Sequence, residues 1–144
     1  IELKLQLMEH MKEQGFECVD YGNYDPDDRE DDYPVPGRKV AEAIVRGEVE
    51  KGVLVCGTGV GISLAANKVP GIRACACSEP YTAKMTAMHN NANIIAVGSR
   101  VVGRELAKMI VDVFFATPFE GGRHKRRVDM ISQIEKDYSG RSDD

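Results

Sequence analysis

A thiol and a hydroxyl lie within a glycine-rich segment, and together they are the strongest indication of chemistry in this sequence. Cys56 follows the apolar run at residues 53–55, and glycines stand at every second position from 57 to 61, with Thr58 after the first of them. This pattern predicts a buried strand that turns into a helix, and the amides of such a turn can bind an anion. A base beside those amides could act on a substrate that develops an oxyanion.

The same pattern also has a purely structural interpretation. A cysteine at the end of a strand is commonly a small core residue, and glycine turns are frequent in α/β proteins. The spacing is Gly-x-Gly-x-Gly, and no Lys-Ser or Lys-Thr follows it, so it matches neither the dinucleotide fingerprint nor the P-loop. The local pattern alone leaves the catalytic and structural interpretations equally open.

Further polar candidates follow in the second half of the chain. His89 and Asn90 end a predicted helix, where a histidine more commonly complements the helix dipole than catalyses a reaction. Arg123 and Arg127 lie four residues apart, so on a helix they would share a face, as a pair of phosphate ligands would. The alternative for the arginines is the solvated start of a basic helix, which is the commoner case.

Composition limits the classes of protein to consider. A chain of 144 residues with 42% hydrophobic residues is long enough for one domain with a core, and its net charge of −4 argues against general nucleic-acid binding. No apolar run approaches the ~20 residues that span a bilayer. The four cysteines have no zinc-site spacing, which favours reduced thiols in a cytoplasmic protein.

The elements that must position these side chains alternate between strands and helices. This alternation predicts an α/β fold in which helices cover both faces of a parallel sheet, with ligands beyond the carboxyl ends of the strands. We predict strands at residues 16–21, 53–56, 71–77 and 93–97. We predict helices at residues 1–14, 35–46, 62–68, 79–88, 103–115 and 126–138, with a polar, acidic loop at 23–32.

Taken together, the motifs are more specific than any one of them. In chain order they are Asp32-Tyr33-Pro34, residues 56–63, Gly71-Ile72-Arg73-Ala74, residues 77–81, His89-Asn90, residues 98–103 and Gly121-Gly122-Arg123-His124. Over residues 1–138, treated as a single domain with a polar tail at 139–144, the chain resembles the type B ribose-5-phosphate isomerases. That family also holds the galactose-6-phosphate isomerase subunits.

The resemblance implies a Rossmann-like three-layer αβα sandwich with a parallel sheet. It implies a homodimer with shared active sites that interconverts ribose 5-phosphate and ribulose 5-phosphate, with no metal and no organic cofactor. It makes Cys56 the base, Thr58 a helper at the enediolate and His89 the group that opens the sugar ring. The residues that it places around the substrate are Tyr33, Gly57, Gly59, Val60, Gly61, Asn90, Arg100, Arg123, His124 and Arg127.

One departure concerns the start of the chain. Members of the family begin with a strand that carries an Asp-His pair contacting the sugar, whereas this sequence starts inside the helix that follows. His10 does not replace that pair because it lies within the helix. We therefore expect the natural protein to have further residues that supply this strand, and residues 1–144 alone to be less stable and poorly active.

Two alternatives to a ribose-5-phosphate isomerase stay open at this point. The first is an isomerase of another sugar phosphate, such as galactose 6-phosphate, allose 6-phosphate or a tetrose phosphate. The second is a non-catalytic module that binds phosphosugars. The presence of Cys56, Thr58 and His89 together argues against the second, since binding alone needs neither a base nor a ring opener.

Overall fold

The computed structural model describes residues 2–22 and 32–140, and its centre is a three-stranded parallel sheet. The strands are β1 (Gly52–Cys56), β2 (Ala74–Ala76) and β3 (Ile94–Gly98), in the spatial order β1-β3-β2. All five residues of β3 are buried, as expected for a central strand covered on both faces. Cys56 pairs with Gly98, so β1 and β3 end at the same edge of the sheet.

Six helices surround this sheet in the described residues. Helix α5 is strongly amphipathic and buries Ala107, Ile110, Val111 and Phe114, which recur at the three- and four-residue spacing of one helix face. The bounds of the helices are α1 (Glu2–Glu13), α2 (Pro34–Val45), α3 (Val60–Ala66), α4 (Pro80–Asn90), α5 (Arg104–Ala116) and α6 (Arg123–Tyr138).

Alternate side chains of β3 enter two separate hydrophobic cores. Ile95 and Val97 pack in the core formed with α1, α4 and α5, whereas Ile94 and Ala96 pack in the core formed with α2 and α3. Because helices cover both faces, the predicted three-layer αβα sandwich with a parallel sheet is confirmed. None of the helices within the described ranges is both long and apolar enough to cross a bilayer.

The predicted strand at residues 16–21 is wrong. Residues 16–22 follow α1 without regular secondary structure, and among the described residues β1 pairs only with β3. This segment and β1 both line a cavity of about 690 Å³. In the described part of the chain, no strand pairs with the segment to form a hydrogen-bonded ladder. Side-chain contacts hold it instead, including the ion pair between Lys4 and Asp20 at 3.0 Å.

The remaining predicted elements are present with shifted bounds. The third predicted strand shrinks to the three residues of β2, and the last helix begins at Arg123 instead of residue 126. The earlier start places Arg123 and Arg127 on the same helix, one turn apart. The predicted acidic loop lies outside the described residues, except for Asp32.

Candidate active site

The carboxyl edge of the sheet brings Cys56 into contact with the glycine loop. Cys56 is the last residue of β1 and is half-buried. The backbone N–H of Gly59 donates a hydrogen bond to its Sγ atom over 3.2 Å. The hydrogen bond fixes the sulfur atom against the amides of the loop, where a bound substrate could meet both.

Glycines allow this loop to lie directly on the central strand. Gly59 has φ +81°, and a Cβ atom there would lie 3.0 Å from the backbone of Val97. A Cβ atom on Gly98 would lie 2.6 Å from the Cα atom of Thr58, closer than such atoms approach in proteins. The position of the loop therefore depends on two glycines that have no side chain to offer the substrate.

Three further predicted residues surround the loop. The backbone N–H of Val60 donates to Thr58 Oγ1 over 3.2 Å, so the threonine hydroxyl keeps its own hydrogen for another acceptor. The ring of Tyr33 lies against Gly61, and the side chain of Arg100 lies against Gly57. We call Tyr33, residues 56–61 and Arg100 the carboxyl-edge cluster.

The opposite edge of the sheet holds the other predicted residues. Helix α4 follows β2 and runs back across the sheet, so its last residues, His89 and Asn90, lie at the amino ends of the strands. Asn91 then reverses the chain with φ 49°, a left-handed conformation that asparagine tolerates, and Asn93 accepts a hydrogen bond from the first residue of β1. Asn90 is exposed at this edge.

His124 joins His89 at the amino edge. The two rings stack with their centroids 4.0 Å apart and an interplanar angle of 9°. His124 is 5% exposed, and its Nε2 atom has no hydrogen-bond partner among residues 2–22 and 32–140. The pKa of His124 is lowered, which favours the neutral form of the ring. Burial away from water is the main cause, and electrostatic repulsion from His89 is the second.

Helix α6 lies along the same edge and carries the two arginines that are four residues apart, Arg123 and Arg127. Glu120, just before α6, donates its backbone N–H to the carbonyl of Met88, and its carboxylate lies 3.8 Å from His89 Nε2. Both Arg123 and Arg127 are exposed, as phosphate ligands must be. We call the following residues the amino-edge cluster: His89, Asn90, Glu120, Arg123, His124 and Arg127.

Within one chain the two clusters do not meet. Strand β1 has five residues and α4 has eleven, so each spans roughly 16 Å between the two edges. Cys56 and His89 lie at opposite ends of that span. Arg100 lies with Cys56, so a single chain does not bring it together with Arg123 and Arg127.

Sequence patterns alone missed two features of the site. One is Glu120, an exposed acidic residue with no motif around it except the glycines that follow. The other is Gly98, whose contact with Thr58 depends on the pairing of β1 with β3. A glycine that ends a buried strand was a signal available for the second, because such a residue commonly marks a close backbone approach.

Known proteins of similar sequence agree on one family. Residues 1–131 match the model of the Ribose/Galactose Isomerase family. Ribose-5-phosphate isomerase B of Escherichia coli (strain K12) is 52% identical over 134 residues, which cover 93% of this chain and 89% of that protein.

Solved structures of similar fold point the same way. Ribose-5-phosphate isomerase B of Clostridium thermocellum has a TM-score of 0.92 and 50% identity, over 96% of this chain and 92% of that one. The enzyme of Mycoplasma genitalium, solved with bound ribulose-5-phosphate, has a TM-score of 0.87 and 40% identity, over 94% of this chain and 90% of that one.

Proposed function

Because the chain belongs to the ribose/galactose isomerase family, it is a sugar-phosphate isomerase, and we propose that it interconverts ribose 5-phosphate and ribulose 5-phosphate. The observation that carries the mechanism is the hydrogen bond from the Gly59 amide to Cys56 Sγ at the carboxyl edge. The four cysteines are free thiols, which supports a cytoplasmic location for the reaction.

We propose that Cys56 is the base of the reaction. Its thiolate takes the proton from C2 of the open-chain aldose, and the C2 electron pair forms the double bond of a 1,2-enediolate. The thiol then returns the proton to C1, which yields the ketose. The Gly59 amide supports this role because it holds the sulfur atom that must accept the proton beside the amides of the loop.

The rest of the loop would stabilise the charge on the substrate oxygen atoms and transfer a hydrogen between them. The negative charge of the enediolate develops on the oxygens of C1 and C2, and amides of residues 57–61 would donate to it without reorganisation. The ketose also requires a hydrogen to pass from the C2 oxygen to the C1 oxygen. Thr58 suits this transfer, since its Oγ1 accepts from Val60 and its hydroxyl hydrogen remains available.

The amino-edge cluster would prepare and hold the substrate. Ring opening removes a proton from the anomeric hydroxyl and returns one to the ring oxygen, which His89 could do with a single nitrogen. Asn90 would bind a sugar hydroxyl beside it. Arg123 and Arg127 would bind the phosphate, and that remote binding energy would orient the reacting carbons.

These roles require a second copy of the chain. Proton transfer to and from one sugar requires each group to lie within about 3 Å of its atom. Cys56 and His89 of the same chain lie at opposite edges of the sheet, which a single sugar phosphate cannot bridge. A homodimer that places the amino-edge cluster of one protomer against the carboxyl-edge cluster of its partner would complete two identical sites.

The outer face of α6 supports such an assembly. Ile131, Ile134 and Tyr138 recur at helical spacing, and each is more than half exposed. An exposed apolar stripe on a helix that also carries substrate-binding arginines suits a surface that a second protomer covers. We propose that this stripe contacts the partner.

A coupled isomerase assay tests the proposal. The purified protein would be given ribose 5-phosphate, allose 6-phosphate, galactose 6-phosphate and a tetrose 4-phosphate at matched concentrations. We expect the highest kcat/KM with ribose 5-phosphate. A higher value with another sugar phosphate would reassign the substrate, and binding of all four without turnover would favour a non-catalytic module.

A further inference from the structure

Three donor atoms converge at the amino edge in an arrangement that suits a metal ion. One ligand atom from each of His89, Glu120 and His124 lies within 4.8 Å of the other two. His89 Nε2 lies 3.8 Å from Glu120 Oε2, and the His89 ring stacks on the His124 ring, so the in-plane lone pairs of the two imidazoles lie side by side. We propose that these three residues form a binding site for Zn²⁺, through which the ion reversibly inhibits the enzyme.

The unpartnered nitrogen of His124 is the independent observation behind this proposal. Its side chain is buried, and no group in the described part of the chain makes a hydrogen bond to Nε2. A buried polar atom without a partner destabilises a folded protein, so such atoms commonly have a ligand.

The donor set selects the class of cation. Two imidazole nitrogens and one carboxylate oxygen form a common three-residue zinc set, which leaves a fourth position for water. Mg²⁺ and Ca²⁺ prefer sites made entirely of oxygen atoms, so we expect them to bind poorly here.

A rotation of the His89 ring out of its stack on His124, with a smaller movement of Glu120, would complete the geometry. Zinc–ligand bonds of about 2.0–2.1 Å place tetrahedral ligand atoms about 3.4 Å apart, so the donors must approach each other. His89 and Glu120 can make this adjustment because their side chains are 35% and 58% exposed. The backbone of Glu120 stays fixed through its hydrogen bond to Met88.

The neighbouring arginines limit the affinity. Arg123 and Arg127 act electrostatically on His124 and would also repel a cation bound to it. We therefore expect a micromolar dissociation constant, weaker than that of a structural zinc site. The inhibitory effect rests on the proposed function, since the metal would occupy the lone pair with which His89 opens the ring.

Titration calorimetry with Zn²⁺ tests the site. The background would carry Cys75→Ser and Cys77→Ser, because these two Sγ atoms lie 3.5 Å apart and thiolates also bind zinc. We expect one ion per chain, and affinity about tenfold or more weaker in Glu120→Gln and in His124→Gln. His10→Gln is the matched control, since His10 is paired with Asp112 and is the remaining histidine of the chain.

Several results would overturn the proposal. These are no binding at millimolar Zn²⁺, equal affinity in all the variants, or sulfur-to-metal charge-transfer bands when Co²⁺ replaces Zn²⁺. The isomerase rate provides a separate readout, with inhibition by Zn²⁺ that a chelator reverses. Binding without inhibition would leave the site intact but remove its link to ring opening, and binding by a protein inactive on every sugar phosphate would contradict the proposed function alone.

Discussion

The two clusters are built from different parts of the polypeptide. The carboxyl-edge cluster consists largely of backbone amides, and its position is fixed by close contacts at Gly59 and Gly98. The amino-edge cluster consists of side chains at helix ends, and its arginines are exposed. Under the proposed function, rigid amides would stabilise the reacting atoms, and adaptable side chains would bind and open the sugar.

The largest effect should follow from removing the proposed base in the carboxyl-edge cluster. We expect Cys56→Ala to lower kcat by roughly 10²–10⁴, the usual range for a general base, with little change in stability. Cys18→Ala is the control, since Cys18 is another free thiol outside both clusters. Steady-state kinetics would measure both variants, and a near-normal kcat in Cys56→Ala would remove the cysteine from the mechanism.

A second substitution, at a residue that packs against the same cluster, tests the rigidity of the cluster without changing a polar side chain. In Gly98→Ala the new Cβ atom would meet the backbone of Thr58 at 2.6 Å, so the loop must move. We expect kcat/KM to fall about 100-fold, since a displacement near 1 Å can have that effect. Gly103→Ala, whose added Cβ atom meets nothing within 4 Å, should behave as the wild type. Equal activity of the two variants would show that the amides need no exact placement.

Mixing two inactive variants sharpens the comparison by testing whether the clusters come from different chains. Random pairing of Cys56→Ala and His89→Ala protomers makes half of the dimers mixed, and each mixed dimer has one intact site of two. Activity should therefore recover to about a quarter of the wild-type value. The assay would follow the rate after subunit exchange, with each variant alone as control. No recovery, in a mixture shown to contain mixed dimers, would mean that one chain supplies both groups.

A smaller effect should follow from removing one phosphate ligand of the amino-edge cluster. Arg127→Ala should raise KM roughly tenfold or more, because a hydrogen bond to a charged group contributes about 1.5–3 kcal/mol. Arg126→Ala makes the same change in net charge on the neighbouring exposed residue and should leave KM nearly unchanged. Calorimetric titration with inorganic phosphate would check the assignment, and equal affinities in the two variants would place the phosphate elsewhere.

The smallest effect concerns stability and pH. The lowered pKa of His124 means that the unfolded chain binds a proton more readily than the folded chain, so His124 makes the fold less stable as pH falls below about 6.5. His124→Phe removes this dependence and the unpartnered nitrogen, and should raise the melting temperature slightly at neutral pH. Melting curves from pH 7.5 to 5.5 should show a growing advantage of the variant. If the difference in melting temperature between the variant and the wild type stayed constant with pH, His89, Glu120 and the adjacent arginines would be offsetting the effect of His124 protonation.

Local sequence patterns predicted the carboxyl-edge cluster better than the amino-edge cluster. The apolar run before Cys56 and the glycines after it encode a strand and a turn within a dozen residues, so short-range propensities determine them. The stacking of His89 on His124 depends instead on how α4 packs against α6. These two residues are far apart in the sequence, so no local pattern predicts their contact. The predicted strand at residues 16–21 failed for a related reason, since a strand requires a neighbour as well as a propensity.

The position of Cys56 and His89 at opposite edges has a consequence for evolution. A homodimer with composite sites uses every chain twice, once as the supplier of the base and once as the supplier of the ring opener. After gene duplication, one copy could lose its cysteine and the other its histidine, and the heterodimer would still retain one complete site. The two genes would then depend on each other, and selection would act separately on the surface that each chain contributes.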